Sequence, residues 1–107
     1  MVKHKQVELR EMEVVDVVGN RAEVRVSYVI PPQRGRGQQF GAQVFKCVLK
    51  ENHEHIRLYI QGRDSKFGYW DVLRETWRPW DAARQEMYGD MVKAIAEAAL
   101  EEIRRLP

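Results

Sequence analysis

Along the first sixty residues apolar side chains recur every second position, and along the last quarter they recur every third or fourth. The first period belongs to β-strands and the second to an α-helix. The clearest strand is Ala22, Val24, Val26, Tyr28 and Ile30 alternating with Glu23, Arg25, Ser27 and Val29, closed by Pro31 and Pro32, which cannot donate to a ladder. Before it, Val7 and Leu9, then Met12 and Val14, then Val15, Val17 and Val18 carry the apolar positions. The period of two slips twice there, which predicts a long bulged strand or two short pieces. Gly19 and Asn20 form a two-residue hairpin signal between the two runs.

A third strand is predicted from about Ala42 to Lys50, with Phe45, Cys47 and Leu49 on one face and Val44, Lys46, Val48 and Lys50 on the other. A fourth covers His55 to Gln61, with Ile56, Leu58 and Ile60 inward and Arg57, Tyr59 and Gln61 outward. Between the second and third strands, residues 31–41 read PPQRGRGQQFG, an Arg/Gly-rich loop expected to be exposed and mobile.

From Pro79 onward the period changes. Tyr88, Val92, Ile95, Ala99, Ile103 and Leu106 fall on one side of a helix, with Lys93, Glu97, Glu101, Arg104 and Arg105 mostly on the other. A continuous helix from about Asp81 is expected, tolerating Gly89 at a cost of about 1 kcal/mol; the alternative is a second helix capped by Asp90, with Gly89 as the hinge. One helix cannot bury its own stripe, so it should lie across the sheet. The fold class is α+β: an antiparallel meander of about four strands, one face covered by a long C-terminal helix.

The stretch Phe67–Trp80 holds Phe67, Tyr69, Trp70, Trp77 and Trp80, every tryptophan of the chain. Asp71 ahead of Val72, Leu73 and Arg74 suggests the cap of one short helix. These rings suit filling the gap between helix and sheet, each burying about 150–250 Å². Interleaved with Lys66, Arg74 and Arg78, they also suit a stacking surface, with Trp77 and Trp80 the candidates for exposure.

Composition narrows the class. With 107 residues, 32% charged and 44% hydrophobic, the chain is sized and composed for residues 1–107 to form a single globular domain. One cysteine excludes an internal disulfide and fits a reducing cytoplasm. No apolar run approaches the roughly 18 residues of a membrane span. Net charge is +2, unevenly placed: residues 1–66 carry twelve basic against eight acidic side chains, residues 67–107 six against eight. Between Glu23 and Glu51 there is no acid, while Arg25, Arg34, Arg36, Lys46 and Lys50 all fall there. Such segregation points to an anionic partner.

Catalytic signatures are missing from the pattern. His53 and His55 are spaced to share a strand face, yet a zinc site needs two more ligands and Cys47 is expected inside the core, where a thiol is inert. Ser27 and Ser65 lack a histidine placed by any catalytic motif. The glycine-rich loop leads into a strand and not a helix, so no helix N-terminus waits for a phosphate. No metal and no cofactor are expected, and the reading leans away from an enzyme.

Binding remains. The polar sheet face should display Arg25, Lys46, Lys50, Arg57 and Tyr59, with Arg34 and Arg36 on the loop beside it. Cations around an exposed ring suit single-stranded RNA or DNA. Val29, Val44 and Val48 share that face and suit instead a protein partner or a homodimer, as do Trp77 and Trp80.

Overall fold

Alternation in the first half of the chain resolves into consecutive antiparallel strands. The computed structural model describes residues 6–50, 55–60, 65–71, 74, 76–79 and 82–106. Strands β1 (Glu8–Val18), β2 (Arg21–Ile30), β3 (Gln39–Lys50), β4 (His55–Ile60), β5 (Ser65–Asp71) and β6 (Thr76–Pro79) form one sheet in sequence order, and helix α1 (Ala82–Arg105) follows. The fold is α+β, a meander of antiparallel strands with the C-terminal helix against one face, as the periodicities require. The sheet continues two strands beyond the four expected.

The two phase slips in β1 are two bulges. Its register with β2 shifts between Leu9 and Glu11 and again between Val14 and Asp16. Each extra residue resets the alternation. The paired positions Leu9, Met12, Val14 and Val17 thereby line up with Tyr28, Val26, Val24 and Ala22, while Glu8, Glu11, Glu13 and Asp16 line up with Val29, Ser27, Arg25 and Glu23. Without the bulges, half of these acids would turn toward the helix. The β1–β2 hairpin closes through Gly19, whose φ of 60° suits the first central position of a primed two-residue turn.

Strand β3 begins at Gln39, three residues earlier than the alternation suggests, because the β2–β3 pairing runs on through Tyr28↔Gly41 to Ile30↔Gln39. The arm beyond closes tightly: Gln33 and Arg36 exchange both backbone hydrogen bonds, at 2.9 and 2.8 Å, with Gly35 at φ 81° between them. A positive φ at this turn position favours glycine.

The described part of the aromatic stretch is two antiparallel strands, with Thr76–Pro79 extended where the short helix is expected to end; Val72 and Leu73, which follow its expected cap Asp71, lie outside the described residues. Trp70 pairs with Trp77 and Asp71 with Thr76 in the β5–β6 ladder. Asp71 does cap, but it caps a turn: its Oδ1 accepts the Arg74 N–H at 3.0 Å. Pro79 sits at the end of the edge strand, where a missing donor is tolerated.

The core lies between the sheet and α1. Ala22, Val24 and Val26 of β2, Phe45, Cys47 and Leu49 of β3, and Ile56 and Leu58 of β4 meet Met91, Val92, Ile95, Ala96, Ala99 and Ile103. The helix runs unbroken through Gly89. It ends before Leu106, which is exposed and lies outside the buried stripe. Val7 joins the core, and its N–H donates to the Met87 carbonyl at 2.7 Å, tying the start of the chain to the helix.

Three substitutions test this packing by equilibrium unfolding. Ile95 is fully buried, so Ile95→Ala should cost about 2–5 kcal/mol; a neutral effect would contradict the layout. The glycines should respond with opposite signs. A Cβ on Gly41 would come within 2.5 Å of the Tyr28 ring, so Gly41→Ala should destabilise. A Cβ on helical Gly89 meets nothing nearer than 4.0 Å, so Gly89→Ala should stabilise by about 0.5–1 kcal/mol.

Candidate functional site

Because α1 occupies one face of the sheet, the side chains between the core positions point to the other. Register assigns them to rows. One row runs Val18, Arg21, Val48, Arg57 across β1 to β4, and the backbone pairing continues it to Tyr69 and Arg78. The next runs Asp16, Glu23, Lys46, Tyr59, and a third Glu13, Arg25, Val44. On the opposite flank Lys50, His55, Asp71 and Thr76 are paired in turn.

The rows separate charge. Glu8, Glu11, Glu13 and Asp16 form an acidic margin on β1, all exposed, whereas Arg21, Lys46, Lys50 and Arg57 gather over β2 to β4. Glu23 lies among these cations, opposite Lys46. Arg25 belongs to the margin, its guanidinium 3.9 Å from the Glu13 carboxylate. Both of these side chains are more than half exposed, so the pair is worth little. Arg21 and Lys50 are exposed and make no ion pair with any described residue. Arg21 is the cation the sequence reading passed over. Its parity with Arg25, directly after the Gly19–Asn20 turn, was the available signal.

Tyr59 is half-buried, and the Lys46 ammonium stands 5.2 Å from its ring centre. That cation–π contact already occupies one face of the ring. Among the described residues the bare ring on this side of the sheet is Phe40, 80% exposed and paired with Val29.

The valines of this face are differently covered. Val29 is 2% exposed and Val48 8%, so the chain itself removes most of their surface from water; Val44 is half-buried. Arg21 and Arg57 flank Val48 in register, and the long aliphatic stems of such residues cover apolar neighbours. Trp77 pairs with Trp70 on β6, and Trp80 lies outside the described residues. Arg34 and Arg36, both exposed, stand at the tip of the β2–β3 arm.

His53 also lies outside the described residues, while His55 Nε2 lies 3.9 Å from Asp71 Oδ2. Asp71 is 7% exposed and also faces the Arg74 guanidinium at 3.7 Å, so its carboxylate is held by turn and neighbours. Among the described residues no group of three His, Cys, Asp or Glu could hold a metal ion. Burial pushes the Cys47 thiol up to about 12, leaving it protonated and unreactive at neutral pH. Burial also raises the Tyr28 hydroxyl, partly offset by a hydrogen bond from Gln43. Tyr28 stacks edge-on against Tyr88 at 6.4 Å and serves packing.

No helix among the described residues is long and apolar enough to cross a membrane. Neither a family model, nor a curated protein, nor a solved structure matches this chain.

Proposed function

We propose that the chain is a non-catalytic binding module whose open sheet face takes a single-stranded RNA or DNA. The observation that carries the reading is the grouping of Arg21, Lys46, Lys50 and Arg57 on adjacent strands around Val48, on the face the helix leaves free. Phosphates spaced along a flexible strand can meet such a group without a fixed groove. Arg34 and Arg36 on the arm, and Arg25 at the acidic margin, extend the cationic surface and speed association by steering.

Exposure of Phe40 favours a second reading, a protein-interaction or homo-oligomeric domain. Salt separates the two. Phosphate contacts release counterions and weaken with added salt, whereas an apolar interface barely responds.

Fluorescence anisotropy of a labelled oligonucleotide across a salt series tests the first reading. Single substitutions of Arg21, Lys46, Lys50 and Arg57 to Ala should each weaken binding to all sequences alike and reduce the salt slope by about 0.7, the single-strand value per contact. Tyr59→Ala should cost about 1–3 kcal/mol through lost stacking while leaving the slope nearly unchanged. Absence of binding at low salt, or binding indifferent to all four charge removals, would leave the protein-interface reading ahead.

A further inference from the structure

Strand β3 is longer than the neighbour that completes it. It pairs with β2 from Gln39 to Val48, but with β4 only from Phe45 to Lys50. Among the described residues, then, Gln39–Val44 has a strand on one side alone. The direction of its backbone groups follows from one bond. The Leu49 N–H donates to the Asn20 carbonyl at 2.8 Å, on the β2 side. Neither ladder of β3 shifts register, so its odd-numbered residues address β2 and its even-numbered residues the other side. Phe40, Ala42 and Val44 therefore aim their N–H and C=O groups away from β2, to the side where no described strand pairs with them.

Sheet edges in proteins are commonly guarded by charges, prolines and bulges. Strand β1 has two bulges and four exposed acids, and β6 ends in Pro79. The sequence Gln39-Phe40-Gly41-Ala42-Gln43-Val44 has no charge, no proline and no bulge. It also carries Phe40, the most exposed large apolar side chain among the described residues at 80%.

We propose that this edge pairs with the same edge of a second copy of the chain, antiparallel, about a two-fold axis through Ala42. The segment is suited to meeting itself. An uncharged strand meets its copy without repulsion. A two-fold at Ala42 keeps even residues opposite even residues, so the outward N–H and C=O groups of both strands meet in hydrogen-bonded pairs. Phe40 then lies opposite Val44 of the second copy on the open face, an aromatic against a β-branched side chain. On the helix side Gly41 lies opposite Gln43 of the second copy.

The described arm beyond Gln39 turns out of this lane. A regular continuation of the β2–β3 ladder would leave Gln33 and Arg36 as a non-bonded pair, yet they exchange both bonds. The ladder's phase therefore changes at Pro31 and Pro32. The tip turns toward the helix, where the Gln33 amide meets the Met87 sulfur at 3.4 Å.

This pairing is independent of the nucleic-acid reading, and its test uses the full chain free of nucleic acid. Sedimentation velocity across a concentration series should show the 12.6 kDa chain doubling in mass. Val44→Lys and Ala42→Pro should each shift the species to monomer, with circular dichroism confirming the fold, whereas Met12→Lys on β1 should leave the dimer intact. Ala42→Cys should let a short bis-maleimide join two chains, since the two thiols would face each other across a pair whose Cα atoms stand about 5.5 Å apart. A chain that stays monomeric at every concentration would overturn the proposal. So would a dimer that both edge variants leave untouched, or an Ala42→Cys chain that dimerises without cross-linking.

Discussion

Everything in this fold depends on one burial: the apolar side of α1 against the inner face of the sheet, in a core that β2, β3 and β4 supply from the sheet side. Met91, Val92, Ile95, Ala96 and Ala99 are each no more than 1% exposed, and so are Val24, Val26, Phe45, Ile56 and Leu58. A helix in a protein draws most of its stability from packing its apolar side, and a sheet with one bare apolar face would aggregate. Each therefore needs the other. The bulges of β1, the close approach of Tyr28 to Gly41 and the bond from Val7 to Met87 all serve that contact.

The same burial decides which side chains are left facing outward. A helix on one face leaves the alternate residues of every strand on the other, and those residues are sorted by charge. Acids collect on β1, which also guards that edge against unwanted pairing. Cations collect on β2 to β4, where no carboxylate but Glu23 stands among them in the described rows. At a surface of this kind the strength of attraction is set by ionic strength more than by shape. The uncharged edge of β3 is the complement of this pattern. Where the sequence places neither acid nor base, backbone pairing is the interaction left.

Much of this was legible in the residues. Strict alternation from Ala22 to Ile30 and from Val44 to Lys50 fixes which side chains face the helix, because a slip of one residue would invert both strands. The two phase slips of β1 gave its bulges, and the stripe from Val92 to Ile103 gave the helix and its contact face. Three features escaped. Phe67 to Trp80 has no clean period, and Asp71 caps a turn as readily as a helix, so local chemistry could not separate a hairpin from a helical turn. Coverage of Val29 and Val48 by their neighbours depends on curvature and side-chain reach, which alternation does not encode. The early start of β3 depends on pairing with β2, a non-local contact, and with it went the open edge and the exposure of Phe40.

The central claim is that the face opposite α1 is the binding surface. An amide NMR titration of the labelled protein with a short single-stranded oligonucleotide at low salt tests it most directly. The account predicts shifts concentrated at Arg21, Lys46, Val48 and Arg57, with the amides of Val92 to Ala99 unmoved. Shifts confined to α1, or none at all at low salt, would contradict it.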